Sequence, residues 1–256
     1  MNSNTQQQEV IDATPLADCS TCSYRQTLLT EGLCKLGDCC VAIESGRQID
    51  RFFRTNPGYA VDYTQDDFWE RRAIAAQYVS PKLLKPLMTD PDEAVRRVLA
   101  YSVPLEWLPD LLNDPDREVR ITVADRLPEK QLELMANDAD YLVREYVARR
   151  LPEGRLFRMV VDQDDQVRKA VAERIPTVSL GLMANDNAVE IRRIVARRME
   201  IDELEMISKD SDWTVRYEVA LRAGLSLLQH MLNDEDEEVR LTVQERMASL
   251  ELKTAE

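Results

Sequence analysis

Asp114 to Pro128 reads DPDREVRITVADRLP, and the fold follows from this stretch. Its arginine, Arg120, recurs at Arg72, Arg96, Arg144, Arg168, Arg192, Arg216 and Arg240. Six residues before each stands an aspartate, from Asp66 through Asp90, Asp114 and so on to Asp234. Every step is 24 residues, with no insertion or deletion over eight copies. A fixed period of this kind marks a repeat array in which each unit is one supersecondary element.

With each unit numbered from its aspartate, position 6 is Val95, Val119, Val143, Val167, Ile191, Val215 and Val239. Position 10 is Leu99 and then valine from Val123 to Val243; position 14 is Val103, Leu127, Leu151, Ile175 and Met199. Positions 6, 10 and 14 form one apolar helical stripe. Alanine at position 11, from Ala76 to Ala220, leaves room for a neighbouring element to approach. Aspartate at positions 1 and 3, often with proline between them (Pro91, Pro115), predicts a capped, dipole-matched helix start. Proline at position 15 (Pro104, Pro128, Pro152, Pro176) disfavours helix at the residue before it and ends the helix near position 13 or 14. In the remaining ten or so residues only positions 19 (Leu84 to Leu228) and 22 (Leu87 to Met231) are regularly apolar, which suits a 3₁₀ or single-turn helix. Each unit is therefore one full helix plus one short one, too small for the usual two-helix repeats, and its neighbours must cover its apolar columns.

This pattern, D-P-D-x-x-V-R-x-x-V-A-x-R-L-P, resembles the leucine-rich repeat variant family, and the resemblance covers about residues 66–247. It implies an all-α fold: a right-handed superhelical solenoid of alternating α- and 3₁₀-helices, without strands. We expect eight units over 66–250, the last one partial. The departures lie at the ends, with Arg71 at position 6 of the first unit and Glu200 and Gly224 replacing the position-15 proline of the sixth and seventh.

All five cysteines, Cys19, Cys22, Cys34, Cys39 and Cys40, fall within 22 residues, and none occurs in the following 216. A disulfide framework would spread its cysteines and pair them evenly, so a tight cluster in an intracellular chain points to metal. The one histidine, His230, is far away in sequence, which leaves an all-thiolate site open to zinc or to an iron–sulfur cube. Neighbouring side chains diverge, so one of Cys39 and Cys40 is spare, and spacing does not choose between them. The run from Cys34 to Pro57, CKLGDCCVAIESGRQIDRFFRTNP, looks like the iron–sulfur module that precedes leucine-rich repeat variant arrays. That resemblance implies a [4Fe-4S] cluster held by Cys19, Cys22, Cys34 and Cys40, with Cys39 as the alternative to Cys40 and zinc as the alternative metal. It also implies bacterial company associated with nitrogen fixation. The module is expected over 17–65, behind a disordered stretch at 1–16. Arg47, Arg51 and Arg54 share one face of a helix and are candidates to lie near the anionic cluster.

Hydrophobic content of 44% with 31% charged residues fits a globular chain. The net charge of −14 is spread, with 5 basic and 8 acidic residues in 1–65 and 28 and 39 in the rest. Such a surface repels phosphate, so nucleic acid is a weak partner class, kept open only by the arginine columns. Position 7 is expected to pair with position-1 aspartates of the same or the next unit. Position 13 (Arg126, Arg150, Arg174, Arg198, Arg222) is expected either to sit on helix C-termini or to bind a partner. No apolar run approaches a membrane span, and the first residues, MNSNTQQQEV, have no signal-peptide character. Seven glycines form no phosphate-cradling loop, and a lone histidine gives little scope for a catalytic dyad. The carboxylate pairs recur in every unit, whereas a catalytic pair should break the pattern once. Trp69, Trp107 and Trp213 occupy unlike repeat positions and form no stacking platform. The sequence reads as a cytoplasmic, monomeric, non-enzymatic scaffold for a protein partner, with iron–sulfur electron transfer as the alternative function.

Overall fold

The computed structural model describes residues 14–254. Most of the stretch expected to be disordered, residues 1–13 of 1–16, lies outside the described residues. The chain forms two compact units, Met1–Arg126 and Leu127–Glu256.

In the first unit, α1 (Gly46–Thr55) and a 3₁₀ segment (Pro57–Tyr63) belong to the cysteine module. They are followed by α2 (Trp69–Ala75), α3 (Glu93–Ser102) and α4 (Arg117–Arg126), with 3₁₀ segments between them. The second unit carries α5 (Tyr141–Arg150), α6 (Asp165–Ala172), α7 (Val189–Arg198), α8 (Trp213–Arg222), α9 (Leu225–Met231) and α10 (Glu237–Thr254). From α5 to α8 the intervening segments are 3₁₀. Among the described residues no strand forms, only one isolated bridge between Lys35 and Cys39. The α/3₁₀ alternation follows the apolar periodicity. Val143, Val147 and Leu151 of one stripe are fully buried, as are the 3₁₀ anchors Leu156 and Leu180.

The helix ends reveal a division of labour that spacing alone left open. The position-3 aspartate is the N-cap: Asp92, Asp140, Asp164 and Asp212 each accept the N–H two residues on. The position-1 aspartate instead accepts the N–H of position 3, as in Asp164 N to Asp162 Oδ1 at 2.9 Å, and receives an arginine from the preceding repeat. Arg144 donates Nε to Asp162 Oδ2 at 2.8 Å and Nη2 to Asp162 Oδ1 at 2.9 Å, while its Nη1 donates to the Asp138 carbonyl at 2.8 Å. The same fork links Arg72 to Asp90, Arg96 to Asp114, Arg168 to Asp186, Arg192 to Asp210 and Arg216 to Asp234. Position 7 thus pairs with the next unit, in a planar bidentate geometry that lysine could not reproduce.

Position 13 is a second staple. Arg126 Nη1 donates to the Ala100 carbonyl at 2.5 Å, Arg174 to Ala148 at 2.7 Å, Arg198 to Ala172 at 2.6 Å and Arg222 to Ala196 at 2.7 Å. Arg150 donates to the Leu127 carbonyl at 3.2 Å. In these pairs the acceptor lies near the C-terminal end of the preceding repeat's helix, where carbonyls lack intrahelical partners and a cation is favoured.

The terminal departures have local explanations. Among the described residues no arginine fork from an earlier repeat reaches Asp66, and Arg71 Nη1 donates to it at 2.9 Å from within the same unit. Where Glu200 replaces proline, the 3₁₀ segment Ile201–Ile207 persists. Where Gly224 does, Leu228 N bonds the Gly224 carbonyl at 3.0 Å and the segment becomes the α-helix α9.

Because the stripe of each helix is covered by its neighbours, damage should spread. Val147→Asp places an unpaired carboxylate at a fully buried site in α5, at a cost of at least several kcal/mol. Hydrogen exchange should then show protection lost together from α5, α6 and the 3₁₀ segment between them. Loss confined to α5 would contradict cooperative stacking.

Candidate metal centre

The cysteine module is short of regular structure and is shaped by turns. Lys35 N donates to the Cys39 carbonyl at 2.8 Å and Cys39 N returns to the Lys35 carbonyl at 2.9 Å, closing a tight loop that brings Cys34 and Cys40 together at its base. The loop turns at Gly37, whose φ of +73° excludes most side chains; a Cβ there would also press on Leu16 at 3.0 Å. A second left-handed glycine, Gly32, turns the chain into Leu33 and Cys34, whose N–H groups both reach the Leu28 carbonyl. Helix α1 fixes the far side: Cys40 N donates to the Gln48 carbonyl at 3.2 Å, and the buried Gln48 side chain donates Nε2 to the Pro15 carbonyl at 2.9 Å.

The result is one cavity lined by all five cysteines, with Tyr24, Arg25 and Lys35 on its wall. Cys19, Cys22, Cys34 and Cys40 are half-buried there. Cys39 differs: it is buried within the apolar core with Leu28, Val41, Ile49 and Phe52, and its Sγ donates to the Leu33 carbonyl at 3.5 Å. Burial pushes the Cys34 thiol up, and the thiolates of Cys22, Cys39, Cys40 and Cys19 reinforce the shift. Cys19 is raised by burial first and then by Cys40 and Cys22, with Arg25 opposing. Thiolates gathered here repel one another, and a bound metal centre would relieve that repulsion. Among the described residues no three His, Cys, Asp or Glu side chains converge where a single ion would be chelated.

The basic face of α1 does not line the cysteine cavity. Arg51 pairs with Asp38, Arg54 pairs with Asp50 at 2.5 Å in an exposed i, i+4 contact, and Arg47 is exposed. None of the three lines the cysteine cavity; Arg25 and Lys35 do. The signal for these two was adjacency in sequence, since Lys35 follows Cys34 directly and Arg25 stands three residues after Cys22. The position-13 arginines are half-buried, with donors spent on backbone carbonyls as described above.

The module's core does not stop at residue 65. Phe52 and Phe53 pack with Tyr24, Tyr59, Tyr63 and Tyr78, and the cluster extends to Ala75 and Val79 of the first repeat. Arg71 Nη2 also donates to the Ala42 carbonyl at 3.3 Å. Module and first repeat thus share one core.

A family model described as "LRV protein FeS4 cluster" matches residues 15–62, and one described as "Leucine rich repeat variant" matches 141–164. A solved structure described as a leucine-rich repeat variant with a novel repetitive protein structural motif is 57% identical, with a TM-score of 0.84 over 90% of this chain and 99% of that one. An uncharacterized 27.7 kDa protein in the nifB 3′ region of Rhodobacter capsulatus is 36% identical over 87 residues, 34% of this chain. The match spans about a third, 35%, of that protein's length. Among the described residues no helix is long and apolar enough to cross a membrane.

Proposed function

The chain belongs to the leucine-rich repeat variant family, and from that premise we propose that it is a non-enzymatic, cytoplasmic scaffold for a protein partner, carrying a [4Fe-4S] cluster on Cys19, Cys22, Cys34 and Cys40. The observation that carries the reading is the cavity lined by the five cysteines, in which these four are half-buried while Cys39 is buried in the core. With no histidine near them, the donors are all thiolates, which suits an iron–sulfur cluster at least as well as zinc, and the family model for residues 15–62 is that of an FeS4 cluster. Cys39, committed to the core and to the Leu33 carbonyl, is the non-ligand. When bound, the cluster supplies four Fe–S bonds that cross-link a segment with little regular structure, and that segment shares its core with the first repeat. Loss of the metal would therefore loosen the start of the array, which gives the cluster a structural or oxygen-sensing role.

The repeats support a scaffold rather than a catalyst, because the recurring position-1 carboxylates and the position-7 and position-13 guanidiniums are spent on one another or on backbone. Nucleic acid fits poorly. The position-7 column is neutralised by aspartates and the position-13 column is turned onto carbonyls, so neither presents a phosphate-binding stripe.

Anaerobic purification followed by iron, sulfide and zinc analysis and a visible spectrum tests the cofactor. A brown protein with about four irons and four sulfides per chain is expected. A colourless protein holding one zinc would overturn the cluster.

A further inference from the structure

The second unit carries an apolar surface that the fold does not require. Packing uses positions 19 and 22 of each 3₁₀ segment; position 21 points outward and is free to be polar, as Asp110, Arg158 and His230 show. In this unit Arg158 and His230 are polar there, but Leu134, Leu182 and Met206 are apolar, joined by Phe157, Val178 and Ile201 at nearby positions, and these six side chains are 52–80% exposed. They are not scattered singly. Met206 lies across the repeat boundary over Gly181, where an added Cβ would meet its Sδ and Cε at 3.6 Å. Arg155 and Arg158 reach back to Glu133 at 2.8 and 2.7 Å, so the segment Glu153–Met159 lies against the one before it. Exposed apolar side chains brought together across a repeat boundary, as Met206 is with the Gly181–Leu182 turn, mark a binding surface more often than apolar residues scattered singly.

The rim says what covers it. Beside Phe157 two arginines, Arg155 and Arg158, share the single Glu133 carboxylate and Arg158 lies over the Phe157 ring, so that end of the strip keeps a positive charge, while Thr177–Met183 carries none. At Ile201–Ile207 the rim holds Asp202, Glu203 and Glu205, all exposed, and no ion pair to them is found among the described residues. At the Met206 end of the strip the unpaired charge is therefore negative, on a chain whose net charge is −14. Phosphate and acidic peptides are repelled by that rim; a cationic partner is drawn to it.

The geometry points to this face as the docking surface for an amphipathic segment of a protein partner, its apolar side on Leu182, Met206 and Val178 and its lysines or arginines over Asp202, Glu203 and Glu205. This inference rests on the scaffold reading and assigns that scaffold a site.

The test uses the full chain and a synthetic amphipathic helical peptide with leucines on one face and lysines along its flanks, followed by fluorescence anisotropy. Leu182→Ser/Met206→Ser alters only exposed side chains and should leave the unfolding temperature unchanged. Binding of the peptide should weaken roughly tenfold or more in that variant. Asp202→Lys/Glu203→Lys/Glu205→Lys should weaken it likewise and abolish its salt dependence. A peptide with glutamates in place of the lysines should not bind. Equal binding of the lysine peptide to wild type and both variants, or equal binding of the glutamate peptide, would overturn the assignment. Self-association of the wild type that disappears in Leu182→Ser/Met206→Ser would overturn it in favour of a second copy of the chain. Cross-linking in cells separates the two levels of the argument. A specific partner held equally by wild type and variant removes this surface and leaves the scaffold standing, whereas no partner above background removes both.

Discussion

Cys40→Ser is expected to yield a colourless protein with no retained iron, whereas Cys39→Ser keeps both colour and iron. The two residues are neighbours and chemically identical, so the contrast isolates direction. Cys40 is half-buried on the shared cavity, anchored by its N–H to the Gln48 carbonyl at 3.2 Å. Cys39 is turned into the core, where its Sγ has the Leu33 carbonyl at 3.5 Å and Thr55 Oγ1 at 3.9 Å. A serine hydroxyl at 39 keeps those contacts and costs on the order of 1 kcal/mol in lost apolar burial and altered hydrogen bonding. A serine at 40 removes one of the four proposed thiolate ligands. Iron retained by Cys40→Ser and lost by Cys39→Ser would exchange the two assignments.

The second large effect lies in the repeats. Asp162→Ala is expected to destabilise α5 and α6 by about 3–5 kcal/mol, because it strands a guanidinium whose side chain is only 5% exposed. It also removes the acceptor of the Asp164 N–H at 2.9 Å. Arg144→Met/Asp162→Asn removes the ion pair from both sides and should lose less than the two single changes together, with a coupling on the order of 2 kcal/mol by hydrogen exchange. Strict additivity would show the fork to be ornamental. The pair also sets a pH dependence. Burial alone would raise the Asp162 carboxyl, but the Arg144 hydrogen bonds, the Asp164 N–H and the attraction of Arg144 and Arg168 outweigh it and hold the group below the usual range. A depressed folded value means stabilisation that is present above the unfolded value, about pH 4, and is lost as the pH falls through the folded one. Asp90 and Asp234 are held low in the same way, so several links of the array should weaken together in acid. The gap between wild type and Asp162→Asn should narrow over that range and stay constant from pH 5 to 8.

Much of this was legible in the amino-acid order. A 24-residue period with apolar positions 6, 10, 14, 19 and 22 allows only a long helix and a short one per unit, since no other periodicity puts those side chains on one side. Position-15 proline marked the helix end because it restricts the residue before it. Five cysteines in one short stretch, with one distant histidine, restricted the site to thiolates. These are local properties: spacing, backbone preference and residue chemistry act over a few positions. Tertiary packing settled every choice between equivalents. Position-7 arginines could have reached an aspartate of the same unit; the stacking distance delivers them to the next. The cations beside the thiols are Arg25 and Lys35 rather than the face of α1, because the chain turns at Gly32 and Gly37 before that helix begins. Cys39 and Cys40 part company because the Lys35–Cys39 bridge fixes which of them faces the core. The apolar strip at Leu182 and Met206 belongs to the same class, since residues a repeat apart become neighbours only when the units are stacked.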